Sequence, residues 1–139
     1  MTPGLIIDCS ITMAWCFADE ATLETAGVQD RLIAEAAVVP AHWFLEVANV
    51  LVMAERRERI AAADASSFLQ LLTALDIQTD HETSARAFDH LLPLCRSQGL
   101  TSYAAAYLDL AVRRRLPLAS LDDDLRQAAI RLGIQVLGK

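Results

Sequence analysis

Short, uninterrupted apolar runs set the strongest limit on how this chain can fold. Leu5-Ile6-Ile7, Ala37-Val38-Val39, Leu118-Ala119-Ser120 and Ile134-Gln135-Val136-Leu137 are each strand-sized, and Asp76-Ile77-Gln78-Thr79 is a weaker fifth. Strands without polar alternation are buried on both faces, as in parallel sheets covered by helices. The intervening segments carry helical patterns over residues 9–17, 22–35, 43–59, 62–75, 84–97, 101–115 and 123–132. Ser10 and Thr101 or Ser102 are predicted caps. Pro93 should kink or end its helix early, and Gly99 and Gly133 act as stop signals. The expected fold is a single α/β domain over residues 1–139, with a central parallel sheet of four or five strands and helices on both faces. In such sheets ligands bind beyond the carboxyl ends of the strands, so chemistry is sought there.

Composition narrows the class. Hydrophobic residues make up 54% of the chain and mean hydropathy is +0.31, yet much of this is alanine in helical runs. No apolar run approaches the roughly 18 residues of a membrane span. The opening residues read as the start of a strand rather than a signal peptide. Cys9, Cys16 and Cys95 are odd in number and lack C-x-x-C spacing, which argues for a reducing, cytoplasmic setting and against a disulfide framework or zinc site. The net charge of −6 speaks against a surface that coats nucleic acid generally. Its positive charge comes from eleven arginines and the single lysine Lys139. Two clusters, Arg56-Arg57-Arg59 and Arg113-Arg114-Arg115, read either as solvated helix ends or as phosphate grips.

Three carboxylates carry the functional signal. Asp8 directly follows the first strand and so stands at a strand's carboxyl end, where position alone also fits a turn or cap aspartate. Glu46 lies beside Trp43 and Val50 on the apolar stripe of the helix from Trp43, where a carboxylate costs several kcal/mol unless it binds metal or is paired, as with a buried arginine. Asp122 is the member of the Asp122-Asp123-Asp124 run nearest the end of the strand before it, and Ser120 stands two residues earlier. Asp109 has Arg113 four residues on, the spacing of an ordinary surface ion pair. Three acids from separate segments suit a hard cation such as Mg²⁺, which needs one or two direct carboxylates. The matching chemistry is phosphodiester hydrolysis. His42, His81 and His90 lack metal spacing and read as surface or capping residues.

The stretches Leu5-Ile6-Ile7-Asp8-Cys9-Ser10, Leu45-Glu46-Val47-Ala48-Asn49-Val50-Leu51, Gly99 to Leu108 and Leu118-Ala119-Ser120-Leu121-Asp122 together resemble the PIN domain, and more narrowly the VapC-type toxins of bacterial toxin–antitoxin pairs. The resemblance runs in order through nearly the whole chain. It implies an endoribonuclease toxin using Mg²⁺ or Mn²⁺ held by acidic residues. It also implies a homodimer, an RNA substrate and a cognate antitoxin partner. Asp8, Glu46 and Asp122 match the first, second and fourth acids. Ser10 and Ser120 match hydroxyl positions of the site, and Asn49 a polar position beside it. Ala104 departs from the pattern, because the residue after Tyr103 is normally the third acid. Asp109 does not replace it, lying about 140° around the helix. The resemblance therefore implies an inactivated or weakened copy, through engineering or natural degeneration, and the intact surroundings favour engineering. The alternative is an inactive PIN domain that binds RNA or protein. A response-regulator receiver is excluded by the missing acid pair and lysine, and a haloacid-dehalogenase phosphatase by Ser10 where Asp-x-Asp needs its second acid.

Overall fold

The computed structural model describes residues 1–139. Five strands form one sheet: β1 (Pro3–Ile7), β2 (Ala36–Pro40), β3 (Ile77–Asp80), β4 (Leu118–Ala119) and β5 (Val136–Leu137). All neighbouring strands are parallel and the order is β3-β2-β1-β4-β5. Leu5, Ile6, Ile7, Val38 and Val39 are buried almost completely, as continuous apolar strands between helical layers require. Each such side chain contributes roughly 1.5–3 kcal/mol through burial.

The helices are α1 (Cys9–Ala14), α2 (Leu23–Arg31), α3 (Trp43–Arg56), α4 (Ala62–Thr73), α5 (Thr83–Arg86), α6 (Leu92–Gln98), α7 (Ser102–Arg114) and α8 (Asp123–Arg131). None is long and apolar enough to cross a membrane. α7 packs against β1, β2 and β4, and every residue from Ala105 to Ala111 is buried. Its alanines let it approach the sheet closely while sustaining the helix.

Several helix ends differ from the sequence expectation for identifiable reasons. Asp8, not Ser10, caps α1, because its carboxylate accepts the Ile11 N–H at 3.0 Å. Thr101 caps α7. α3 stops at Arg56 rather than Arg59, since Glu58 enters the left-handed region at φ 57°. The Arg59 N–H then reaches back to the Ala54 carbonyl at 2.9 Å, and that of Glu58 to Glu55 at 3.0 Å, a Schellman ending with glutamate where glycine is usual. The expected helix over residues 84–97 divides into α5, a π-turn at Ala87–Leu91, and α6. Pro93 lies in the first turn of α6, and the widened turn absorbs the hydrogen bond that proline cannot make.

Candidate active site

The strand order reverses direction between β1 and β4: β2 and β3 lie on one side of β1, β4 and β5 on the other. The carboxyl ends of these two central strands therefore open a crevice at the switch point. Asp8 is the first residue past β1, and Ser120 the first past β4. The Asp8 N–H donates to the Ala119 carbonyl at 3.1 Å, extending the ladder to the crevice floor. Ser10 donates its hydroxyl to Asp8 Oδ1 at 2.6 Å, and Ser120 donates to Oδ2. The same two hydroxyls accept main-chain N–H groups of the loop after β4, Ser10 from Leu121 at 2.8 Å across the crevice floor and Ser120 from Asp122 at 3.0 Å within its own loop. Asp122 caps α8 through the Leu125 N–H at 3.1 Å. Two serines thus tie together chain ends more than a hundred residues apart.

The opposite wall comes from α3 and α7. Glu46 stands in the first turn of α3 and accepts the Tyr107 hydroxyl on Oε1. His42 Nε2 lies 3.4 Å from the same oxygen and 3.1 Å from the Tyr103 carbonyl, and its ring meets that of Tyr107 edge-on at 5.1 Å. His42 precedes α3 without capping it by its side chain; its ring instead bridges α3 and α7. Ala104 sits in the first turn of α7, its N–H donating to Thr101 Oγ1 at 3.2 Å. A cavity of about 450 Å³ is lined by Asp8, Ser10, Glu46, Ala104, Tyr107 and Asp122, among others.

Burial pushes the Asp8 carboxyl up to about 6, with the hydrogen bonds from Ser10, Ser120 and the Ile11 N–H working against it and the nearby Asp122 charge adding to the rise. Burial, followed by the Glu46 and Asp8 charges, pushes the Cys9 thiol up to about 12, which makes it a poor nucleophile. Burial and then the bond to Glu46 raise Tyr107 as well, so it stays a neutral donor. Neither Asp8 nor Asp122 has an ion-pair partner, and Glu46 has only His42. Arg59 on the rim is engaged by Asp19 and Glu20 at 2.7 and 2.9 Å. No three His, Cys, Asp or Glu side chains are grouped tightly enough to hold an ion by themselves. Each acid is instead anchored in its own hydrogen-bond set.

Asp8, Ser10, Glu46, Asp122 and position 104 therefore share one cavity, and Ser120 is buried just beneath it. Asn49 is exposed and lines an adjoining groove of about 420 Å³ rather than the cavity itself. Asp109 corrects the sequence expectation of a surface pair. It bonds Arg113 at 3.0 Å as the spacing implies, but it is buried and also grips Arg86 at 2.7 Å. Arg113 continues to the buried Asp80 at 3.1 Å. Sequence reasoning passed over Tyr107, whose hydroxyl holds Glu46. Its position four residues after Tyr103 and three after Ala104 on one helix was the available signal.

The sequence pattern of the PIN domain matches residues 5–131. None of the curated proteins matches the chain. Among solved structures, the fold is similar to PAE2754 from Pyrobaculum aerophilum, at 21% identity and a TM-score of 0.68, covering 92% of this chain and 87% of that one. It is also similar to VapC20 of Mycobacterium tuberculosis, a toxin that cleaves the sarcin-ricin loop, at 12% identity and a TM-score of 0.61, covering 90% and 95%.

Proposed function

This chain belongs to the PIN domain family, and from that premise we propose that its crevice is the active site of a metal-dependent endoribonuclease toxin of the VapC type. The observation that carries the reading is that Asp8, Glu46, Asp122 and position 104, from four separate segments, line one cavity at the carboxyl ends of β1 and β4. Asp8 is buried without a cationic partner, and a cation in the cavity would bring its carboxyl back toward the ordinary carboxylate range. That donor chemistry, all oxygen and net negative, suits Mg²⁺ or Mn²⁺. Asp8, Asp122 and Glu46 would hold the ion, waters and substrate phosphate completing its shell.

When bound, the ion supplies Lewis acidity toward the phosphodiester. The protein groups do the positioning. Ser10 and Ser120 each occupy one Asp8 oxygen, fixing the plane of its carboxylate. Tyr107 fixes Glu46 on the opposite wall. Asp122 is aligned by its bond to the Leu125 N–H. Ala104 offers a methyl group where the family pattern places a carboxylate, so this copy is proposed to be inactive or weakened. The cognate antitoxin and the homodimer belong to the same proposal. An apolar groove of about 590 Å³ between α3 and α4, with Phe44 and Leu69 exposed, gives a protein partner a surface to cover.

The decisive experiment is Ala104→Asp. Mn²⁺-dependent cleavage of RNA should rise at least about 10²-fold, the scale of restoring one supporting group at a metal site, and a chelator should abolish it. The second reading is an inactive module that binds RNA or protein. It is favoured by Ala104 and by the absence of a preformed three-ligand group. It prevails if Ala104→Asp neither cleaves RNA nor binds Mn²⁺.

A further inference from the structure

A cavity lined by carboxylates repels the polyanion it is proposed to cut, so the strand requires positive charge along its path beside the site. Most of the arginines are already committed within the protein. Arg31 pairs with Glu35, Arg86 and Arg113 with Asp109, and Arg114 with Asp80. Arg126 and Arg131 donate to main-chain carbonyls. Arg56, Arg57, Arg96 and Arg115 have no carboxylate partner. Of these, Arg57 lines a groove of about 420 Å³ whose walls Phe17, Val50 and Arg59 also line the acidic cavity. The two spaces therefore adjoin across these three residues.

The groove has the groups that single-stranded nucleic acid uses. Arg59 places its guanidinium carbon 3.7 Å from the centre of the Phe17 ring and is braced by Asp19 and Glu20, so its guanidinium is held at the junction. Asn49 brings an amide able to bond a base edge. Arg57 is exposed, with its donors available for phosphate. The Schellman turn at Glu58 fixes the backbone between the two arginines.

We propose that the Asn49–Arg57 groove takes the RNA segment flanking the phosphate held in the acidic cavity, with Arg57 gripping its backbone and Asn49 meeting a base. This rests on the ribonuclease reading and adds the direction in which the strand leaves the site. A test is fluorescence anisotropy with a labelled single-stranded RNA of about 12 nucleotides, in chelator and over a salt series. Arg57→Ala should weaken binding about tenfold near 0.1 M salt and flatten the slope of log affinity against log salt by about 0.7. Asn49→Ala should weaken binding with the slope unchanged. Arg96→Ala, on α6, which lines neither space, should change nothing. Parent-like affinity and slope in Arg57→Ala overturn the groove assignment while the ribonuclease reading stands. A parent that binds no RNA at any salt also overturns the groove assignment, whereas the ribonuclease reading is decided separately by Ala104→Asp with Mn²⁺. A parent that binds a poly-glutamate peptide through Arg57, with RNA affinity unaffected by Arg57→Ala, assigns the groove to an acidic protein partner instead and overturns the proposal.

Discussion

Tyr107 shows how much of the candidate site depends on a side chain that bears no charge. Its ring is buried in α7 and its hydroxyl donates to Glu46 across the cavity. Outer groups that orient a metal ligand are typically worth 10–100-fold in metal affinity. Tyr107→Phe keeps the ring and removes only the donor, so Mn²⁺ affinity, measured by electron paramagnetic resonance of the free ion, should fall by that order. Asp8→Asn serves as the reference, and it should abolish binding altogether. The serines act on the same principle from below. Each both donates to Asp8 and accepts a main-chain N–H, so a substitution there disturbs the carboxylate and the β4 loop together.

Among the elements, the end of α3 turns through a left-handed residue that is not glycine, as the end of α7 does at Arg115. Glu58 adopts φ 57°, a conformation costing a residue with a Cβ about 1 kcal/mol relative to glycine. Glu58→Gly should therefore stabilise the fold by about 0.5–1 kcal/mol, read as a rise in the urea midpoint with an unchanged slope. The gain appears only because the turn itself is native; were residue 58 helical, glycine there would destabilise by a similar amount. α7 illustrates the opposite balance. Its seven consecutive buried residues make it the helix through which sheet, α6 and α8 communicate by packing, while its first turn supplies one wall of the cavity.

Across the whole molecule, the ionic network of Arg86, Asp109, Arg113, Asp80 and Arg114 ties β3 and α5 to α7. Burial alone would raise Asp80, but hydrogen bonds from Arg113, the Glu82 N–H and Arg114 outweigh it and hold the carboxyl at about 2. A folded-state value below the unfolded one means that the stabilisation is complete above about pH 4 and is lost as pH falls toward 2. The amount is about 2 kcal/mol. Asp80→Asn should flatten the stability–pH curve in that window by about one proton, measured by urea unfolding at successive pH values. A curve parallel to that of the parent would remove Asp80 from the cause of acid sensitivity.

The sequence by itself determined the class of fold, because uninterrupted apolar runs such as Leu5-Ile6-Ile7 can only be buried on both faces. It also marked Asp8 and Asp122, since each acid follows a strand and parallel sheets gather strand ends on one edge. What it could not determine was adjacency. β1 and β4 are neighbours with Asp8 and Ser120 in contact, and that pairing depends on strand order, which no local pattern encodes. For the same reason the partners of each charge were hidden. Arg113 was legible as the i+4 partner of Asp109, but its reach to Asp80 and the burial of both acids arise only once α7 lies against the sheet. Tyr107 acquired its role likewise, from the packing of α3 beside α7, which brings a neutral hydroxyl to a carboxylate 61 residues away. Local patterns fix what each segment becomes; the tertiary fold alone decides which side chains meet.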